Sequence, residues 1–581
     1  MMRNAWRRVR EWLEETHSAA FELARHFFLR FFDSDLISTP GQWRVVAIGA
    51  IAIVLSSSLI FVQGYWHKYM GLDGLETSGP YQLALVADAL FLITFAMFVI
   101  ALFTTLLWPQ LFPGLRDYLA LASLPVRMRE VFAAKFSALA TFATLFVIAT
   151  TLPPSLLLPI VSSGRYAQHS RLQIVALFIS CSLAALFVFF SLVTVQGILL
   201  NVLPNRLFVR VSLAIQGLLL TVLLCGFPLV FSIPSLQNSM NQRPAWTVWV
   251  PPAWFLGLEQ FIAGNREEMA RRLASISLAG FGCAAAMAVL TYLWSFHRHR
   301  VRMLESYGSM ATTERRSRQS NFAERLITDP HKLAVFAFIA KTLARSRQHR
   351  MILTAFAAIA IAVIFESFVS LVLSGDLRGW LSHSKAWREA AIAAPLALSL
   401  FVLAGFRYLF RLPHELTANW VFRINEPGNR RVFLGAVEQF LLCCAVAPVA
   451  LVTLPLEMVM LGPGTGIAAS ILCLLPSLIL MESLLVRFEK VPFTSSYLPG
   501  RRPLIETLLL YGIAVMVYVS ILSHILTWAL EGPRSTLIVF AILLAIWLKV
   551  RHGRREEWEF GKLEFEELPE PAVQTLGIER D

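Results

Sequence analysis

Six ionisable side chains fall inside stretches of sequence that are otherwise apolar: Asp88, Glu366, Glu438, Glu457, Glu482 and His524. A charge in such a place costs about a few kcal/mol unless it is paired or faces water, so each is a candidate for proton transfer, a polar pathway or a structural ion pair. Glu438 and Glu482 lie a turn or two from the ends of their stretches, where a carboxylate either reaches the interface or lines a pathway. Asp88 and Glu457 sit similarly near the opposite ends. Glu366 is deeper and suits a pathway lining as well as a structural hydrogen bond. Glu366, Glu438 and Glu482 are therefore the pathway candidates. No regular chain of acids crosses neighbouring stretches, which weighs against a proton-coupled secondary transporter.

Other chemistry is thinly provided. Cys181, Cys225, Cys283, Cys443, Cys444 and Cys473 all lie in apolar stretches, without a CxxC or His-rich setting, and read as small buried hydrophobes. The sequence calls for no metal and no cofactor. A membrane-embedded enzyme acting on a lipid-linked substrate would need acids or histidines clustered in an outer loop, and the loops offer only scattered ones such as Asp73, Glu76, Glu259 and Asp376. There is no G-x-x-x-x-G-K-[ST] phosphate loop, because the only Gly-Lys pair, Gly561 and Lys562, is followed by leucine. The chain is not expected to hydrolyse ATP alone.

A different kind of site is the segment LRDYLALASLPVRMREVFAAKFSA, Leu115 to Ala138, which sets Arg116, Asp117, Arg127, Arg129, Glu130 and Lys135 between two long apolar stretches. It is long for a helix connection and keeps Leu119, Leu121, Leu124, Val126 and Val131, which a solvated loop does not need. Pro125 after Ser123 fits the first turn of a capped helix. A short helix, turn and second short helix along the membrane surface would offer a firm knob to a partner.

The elements that must position these groups follow from composition. Hydrophobic residues make up 56% of the 581-residue chain and charged ones 15%, and the mean hydropathy is +0.62. A bilayer core about 30 Å thick takes about 20 apolar residues per helix. Twelve stretches qualify: 43–63, 82–108, 136–160, 173–203, 211–233, 273–296, 351–373, 390–410, 433–461, 465–486, 504–526 and 535–550. The expected fold is all-α and polytopic, with about twelve transmembrane helices. Pro153, Pro154, Pro159, Pro448 and Pro455 are expected to kink or break the third and ninth. Arginine and lysine concentrate in alternate connections, which the positive-inside rule places in the cytoplasm together with both termini. The net charge of +13 is accounted for by this topology and by contact with membrane lipids, and nucleic acid is not expected as a partner.

The order of elements repeats. Trp6, Val9, Leu13, Ala20, Ala24, Phe27 and Phe31 predict an interfacial amphipathic helix before the first span, and Leu333, Phe336, Ala340 and Leu343 another before the seventh. Each leads into two spans, a charged segment and four more spans. The second segment, RLPHELTANWVFRINEPGNRRVFLGAVEQF, shares a Leu-Pro pair with the first (Leu124 and Pro125; Leu412 and Pro413) and a charged residue before Val-Phe (Glu130; Arg431). The boundaries are an amphipathic arm over 1–42, a six-span unit over 43–296, a basic linker with the second amphipathic helix over 297–350, a second six-span unit over 351–550 and a tail over 551–581. Such halves form parallel pseudo-repeats.

Elbow, two spans, a segment of the form R-x-x-L-x-x-x-x-L-P-V-x-x-x-E-x-x-x-x-K and four spans together resemble the permease subunits of ATP-binding-cassette exporters of the type-2 group, here as two fused units. Arg116, Leu119, Leu124, Pro125, Val126, Glu130 and Lys135 carry the match, with Arg127 and Arg129 inside it. The resemblance implies a pathway-forming subunit of a bacterial-type inner membrane, driven by a separate nucleotide-binding ATPase subunit that docks on these segments. In the second half Leu412, Pro413, Glu415 and Arg423 follow the pattern, while Asn419, Trp420 and the Asn425 to Gly428 turn depart from it, which leaves equal engagement of two ATPase subunits open.

Overall fold

The structure is a computed structural model that describes residues 21–29, 64–69, 79–112, 128–162, 170–233, 248–309, 327–373, 384–412, 419–425, 431–486, 488, 490–494, 513 and 515–560. Among the described residues the regular elements are all helices. Ten of them are long and apolar enough to cross a membrane, and they coincide with the second to tenth and the twelfth expected spans. The first expected span lies outside the described residues. The eleventh is described only in part, as a π-helical turn Met516–Ile521 running into a helix Leu522–Ala529. The chain is an all-α, multi-pass membrane protein.

It divides into two compact units, Met1–Thr313 and Glu314–Asp581. In unit 1, α1 (Gly79–Leu106), α2 (Met128–Ser162), α3 (Ser170–Val202), α4 (Asn205–Ser232), α5 (Pro251–Ile262) and α6 (Glu268–Ser309) follow one another. The span α3 packs against α1, α2 and α6, and α1 also meets α4. Small side chains permit this close approach: Ala176, Ser180, Ala184 and Ala185 of α3 are fully buried. A Cβ on Gly197 would stand 2.8 Å from Thr291. Amide side chains staple the helices, Gln196 donating to the Trp108 carbonyl and Gln216 to that of Thr105, both at 2.8 Å. With no water in the bilayer, such bonds give the buried amide N–H groups an acceptor.

Unit 2 contains α7 (Pro330–Arg345), α8 (Arg347–Leu373), α9 (Lys385–Leu409), α10 (Asn419–Ile424), α11 (Arg431–Leu441), α12 (Ala447–Leu461), α13 (Pro463–Leu485), α14 (Leu522–Ala529) and α15 (Pro533–Phe560). Helices α11 and α12 are one span joined by the π-helical turn Leu442–Val446. The wider turn lies just ahead of Pro448, whose ring has no N–H to give an α-helical ladder. The ninth span therefore continues rather than breaks. The third span, α2, likewise runs unbroken through Pro153, Pro154 and Pro159.

Packing repeats as the sequence order does. In unit 2 the fourth span, α13, lies against the second (α9), the third (α12) and the sixth (α15), and the second meets the helix of the fifth (α14). These are the pairings of α3 with α1, α2 and α6, and of α1 with α4, in unit 1. The elbows recur too. Residues 21–29 are helical, bury Leu23 and Phe27, and expose the Glu22–Arg25 pair. Phe28 meets Phe142 of α2 with ring centroids 6.0 Å apart. In unit 2, α7 packs on α11, with Phe336 and Phe440 at 5.3 Å. Asp329 caps α7 by accepting from the His331 amide at 2.9 Å, with Pro330 in the first turn. Its buried stripe is Val335, Ile339 and Thr342, with Phe336, Ala340 and Leu343 partly buried against the same core.

Candidate functional site

The foot of the third span is the shared feature of the two units. In unit 1 the described part of the charged segment begins at Met128, so Arg116, Leu119, Leu124, Pro125, Val126 and Arg127 lie outside the described residues. Arg129 and Glu130 stand in the first turn of α2, where an acidic side chain suits the positive end of the helix. Lys135, one turn further on, is buried and sits over the Phe27 ring of the elbow at 4.7 Å. A buried ammonium above a ring face is a favourable contact, and it fastens elbow to span.

In unit 2 more of the second segment is described. Leu412 is buried in the core, and Pro413 and Glu415 lie outside the described residues. Arg423 is on α10, the six-residue helix that bears Trp420, Val421 and Ile424. Phe422 anchors this helix between Phe338 and Phe433 at 5.2 and 5.8 Å, and Asn419 donates to the Thr494 carbonyl at 2.8 Å. Trp420 and Ile424 face outward, 63% and 72% exposed.

Behind α11 lies a four-charge clasp. Glu438 of α11 and Glu482 of α13 meet Arg551 and Arg554 of α15, two acids against two bases. Arg554, whose side chain is fully buried, donates through Nη2 to Glu438 Oε2 at 2.8 Å and pairs through Nε with Glu482. Arg551 is 3.6 Å from Glu438 and 3.9 Å from Glu482. Trp558 and Trp547 lie under the two guanidinium groups, at 3.9 and 4.8 Å. Thus the two pathway candidates near the ends of their spans are tied to the last helix. The third, Glu366, lies exposed on the surface of unit 2.

The arginines of the clasp escape a reading that ends the last span at Val550. Helix α15 runs on to Phe560, because the charges beyond Val550 find acids inside the unit. A signal was present: Trp547, Arg551, Arg554 and Trp558 are spaced four, three and four residues apart, which places them on one helical face.

The remaining acids are separate. Asp88 is fully buried, with Lys68 donating at 2.8 Å to both carboxylate oxygens and the Tyr69 hydroxyl at 2.8 Å. Glu457 is buried in α12, and His524 lies 3.0 Å from Glu389. Glu259 is on α5, where burial pushes its carboxyl up to about 7. Among the described residues no group of three or more His, Cys, Asp or Glu gathers as a metal would require. No family model matches the chain, and no curated protein and no solved structure matches it.

Proposed function

We propose that the chain is the membrane-spanning subunit of an ATP-driven exporter, two six-span units in one polypeptide, coupled through cytoplasmic segments to a separate ATPase. The observation that carries this reading is the repeated foot of the third span: in both units an amphipathic helix is fastened to the start of the span that follows a charged segment. A loop whose end is anchored in this way can transmit a push from a partner into the bundle. The substrate is left open, since apolar walls suit lipids, drugs and peptides alike. The arrangement fits an inner membrane, with the basic connections inside.

The test is the partner. The chain purified alone should hydrolyse no ATP, whereas mild detergent extracts of its native host should retain it with a nucleotide-binding subunit. Hydrolysis by the lone chain that survives further purification would overturn the reading. Topology is checked separately, in a background lacking the native cysteines. Cysteines at Gly74, Asn241 and Ser382 should react with an impermeant thiol reagent on intact cells, and those at Ser123, Ser317 and Asn429 only after lysis. The reverse pattern would place the charged segments outside, beyond reach of an ATPase.

A further inference from the structure

Two carboxyls are fully buried in the spans of unit 2, and their surroundings differ. Glu482 is met by Arg554 and Arg551. Among the described residues Glu457 of α12 meets no cation, and neither of its oxygens accepts a hydrogen bond. Its neighbours are Ser470 and the Cys473 thiol of α13. Other hydroxyls on these two helices are committed to their own backbone, Thr453 donating to the Val449 carbonyl at 3.1 Å and Ser477 to that of Cys473 at 2.9 Å. Helix α9, the other span packed on α12, carries its charges near its ends, Lys385, Arg388, Glu389 and Arg407. None of them is an electrostatic neighbour of Glu457. The π-helical turn brings the thiols of Cys443 and Cys444, which are not neighbours of it either.

The packing closes around this carboxyl. A Cβ on Gly466 of α13 would stand 2.7 Å from Met458 Cα and 2.8 Å from the carbonyl carbon and oxygen of Glu457, so the two spans meet backbone to backbone. Cys473 belongs to an apolar cluster with Ile392 and Leu396 of α9 and Leu526 of α14. Unit 1 repeats the contact with a hydroxyl in place of the carboxyl, where Ser155 of the third span stands beside Cys181 of the fourth.

A carboxylate in this position would be a buried charge with neither counterion nor donor. A carboxylic acid is itself a donor and needs one acceptor, which the Ser470 hydroxyl offers. A metal ion or an amine would need room and further ligands, and a proton needs neither. The way to water is short, because Glu457 lies one turn from the end of α12 and Pro463, Gly464 and Thr465 beyond it are exposed.

We propose that Glu457 is a proton-binding site of unit 2, which holds a proton while α12 and α13 are packed as described and releases it when they part. It stands apart from the other acids, so it binds a proton without relaying one, and the exporter reading neither needs it nor is needed by it. The test uses the purified full chain in detergent. Infrared spectra at about pH 7 should show a carboxylic-acid carbonyl band that Glu457→Gln removes and Glu482→Gln leaves in place. Cys473→Ala takes away the thiol beside the acid and should shift the band without abolishing it. Release on opening is read from thermal midpoints. Above the ordinary carboxylate range the unfolded chain gives the proton up and the packed chain keeps it, so stability falls as pH rises. Between about pH 6 and about pH 8 the wild-type midpoint should therefore fall, relative to that of Glu457→Gln, by about 1–2 °C per pH unit.

A carbonyl region unchanged in Glu457→Gln would overturn the proposal, as would a band lost in Glu482→Gln instead. Parallel midpoints of wild type and Glu457→Gln across that pH range would overturn the link between proton release and opening. If either glutamine variant fails to fold, Cys473→Ala decides, and a band that it leaves unmoved lies elsewhere and overturns the assignment.

Discussion

Replacing Arg554 with methionine is expected to lower the thermal midpoint of the purified chain by about 5–10 °C and to cut the yield of folded protein. The side chain of Arg554 is fully buried and is the nearest cation to both Glu438 and Glu482. Removing one partner of a buried pair strands the other charge and costs about 3–5 kcal/mol. Here two carboxylates would be left with Arg551 alone, at 3.6 and 3.9 Å. Arg551→Met should cost about 1 kcal/mol or less, because that side chain is 30% exposed and its contacts are longer. The decisive comparison is Arg554→Met with Glu438→Leu and Glu482→Met. Replacing a whole buried ion cluster by apolar groups of similar volume is often neutral, so this variant should regain most of the lost midpoint. A single Arg554→Met variant that melts with the wild type would show that the clasp contributes no net stability.

The contrast between these spans and their clasp shows where the sequence is informative. An apolar run of the length of a bilayer can hardly be anything but a span, and ten of the twelve expected runs are seen as such among the described residues. Side-chain partners are another matter. Glu438 and Arg554 are 116 positions apart, so nothing local announces their meeting. Arg551 also looks like the end of a span, because a charge there is costly unless an acid waits for it. Asp88 shows the same limit, since its partners Lys68 and Tyr69 lie 20 and 19 positions away in a separate helical stretch. The amphipathic α7 was legible as an element, and its deepest stripe falls on Val335, Ile339 and Thr342. The expected set Leu333, Phe336, Ala340 and Leu343 flanks that stripe. Periodicity finds the apolar side of a helix, and the neighbour it packs on, here α11, decides which residues on that side go deepest.

On the exporter reading proposed above, reversing charge in the first segment, with Arg127→Glu, Arg129→Glu and Glu130→Lys together, should abolish retention of an ATPase partner and transport while leaving a folded, inserted protein. The stability cost should stay near about 1 kcal/mol. All three positions lie ahead of the apolar run of the third span, and the main loss is that of Glu130 from the favourable first turn of α2. Lys135 is left in place, and with it the fastening of α2 to Phe27 of the elbow. Across an interface the same three changes set like charges against each other and cost about a few kcal/mol of association. The matching reversal in unit 2, Arg423→Glu, Arg430→Glu and Arg431→Glu, should do less. There the outward face of α10 presents the apolar Trp420 and Ile424 beside Arg423, so charge reversal leaves the apolar part of that face in place. The measurement is the amount of ATPase subunit recovered per chain in mild detergent, beside a thermal midpoint for each variant. Full recovery with the first variant would return Leu115 to Ala138 to the role of a solvated connection. Equal loss from both variants would instead mean that the two units engage their ATPases alike.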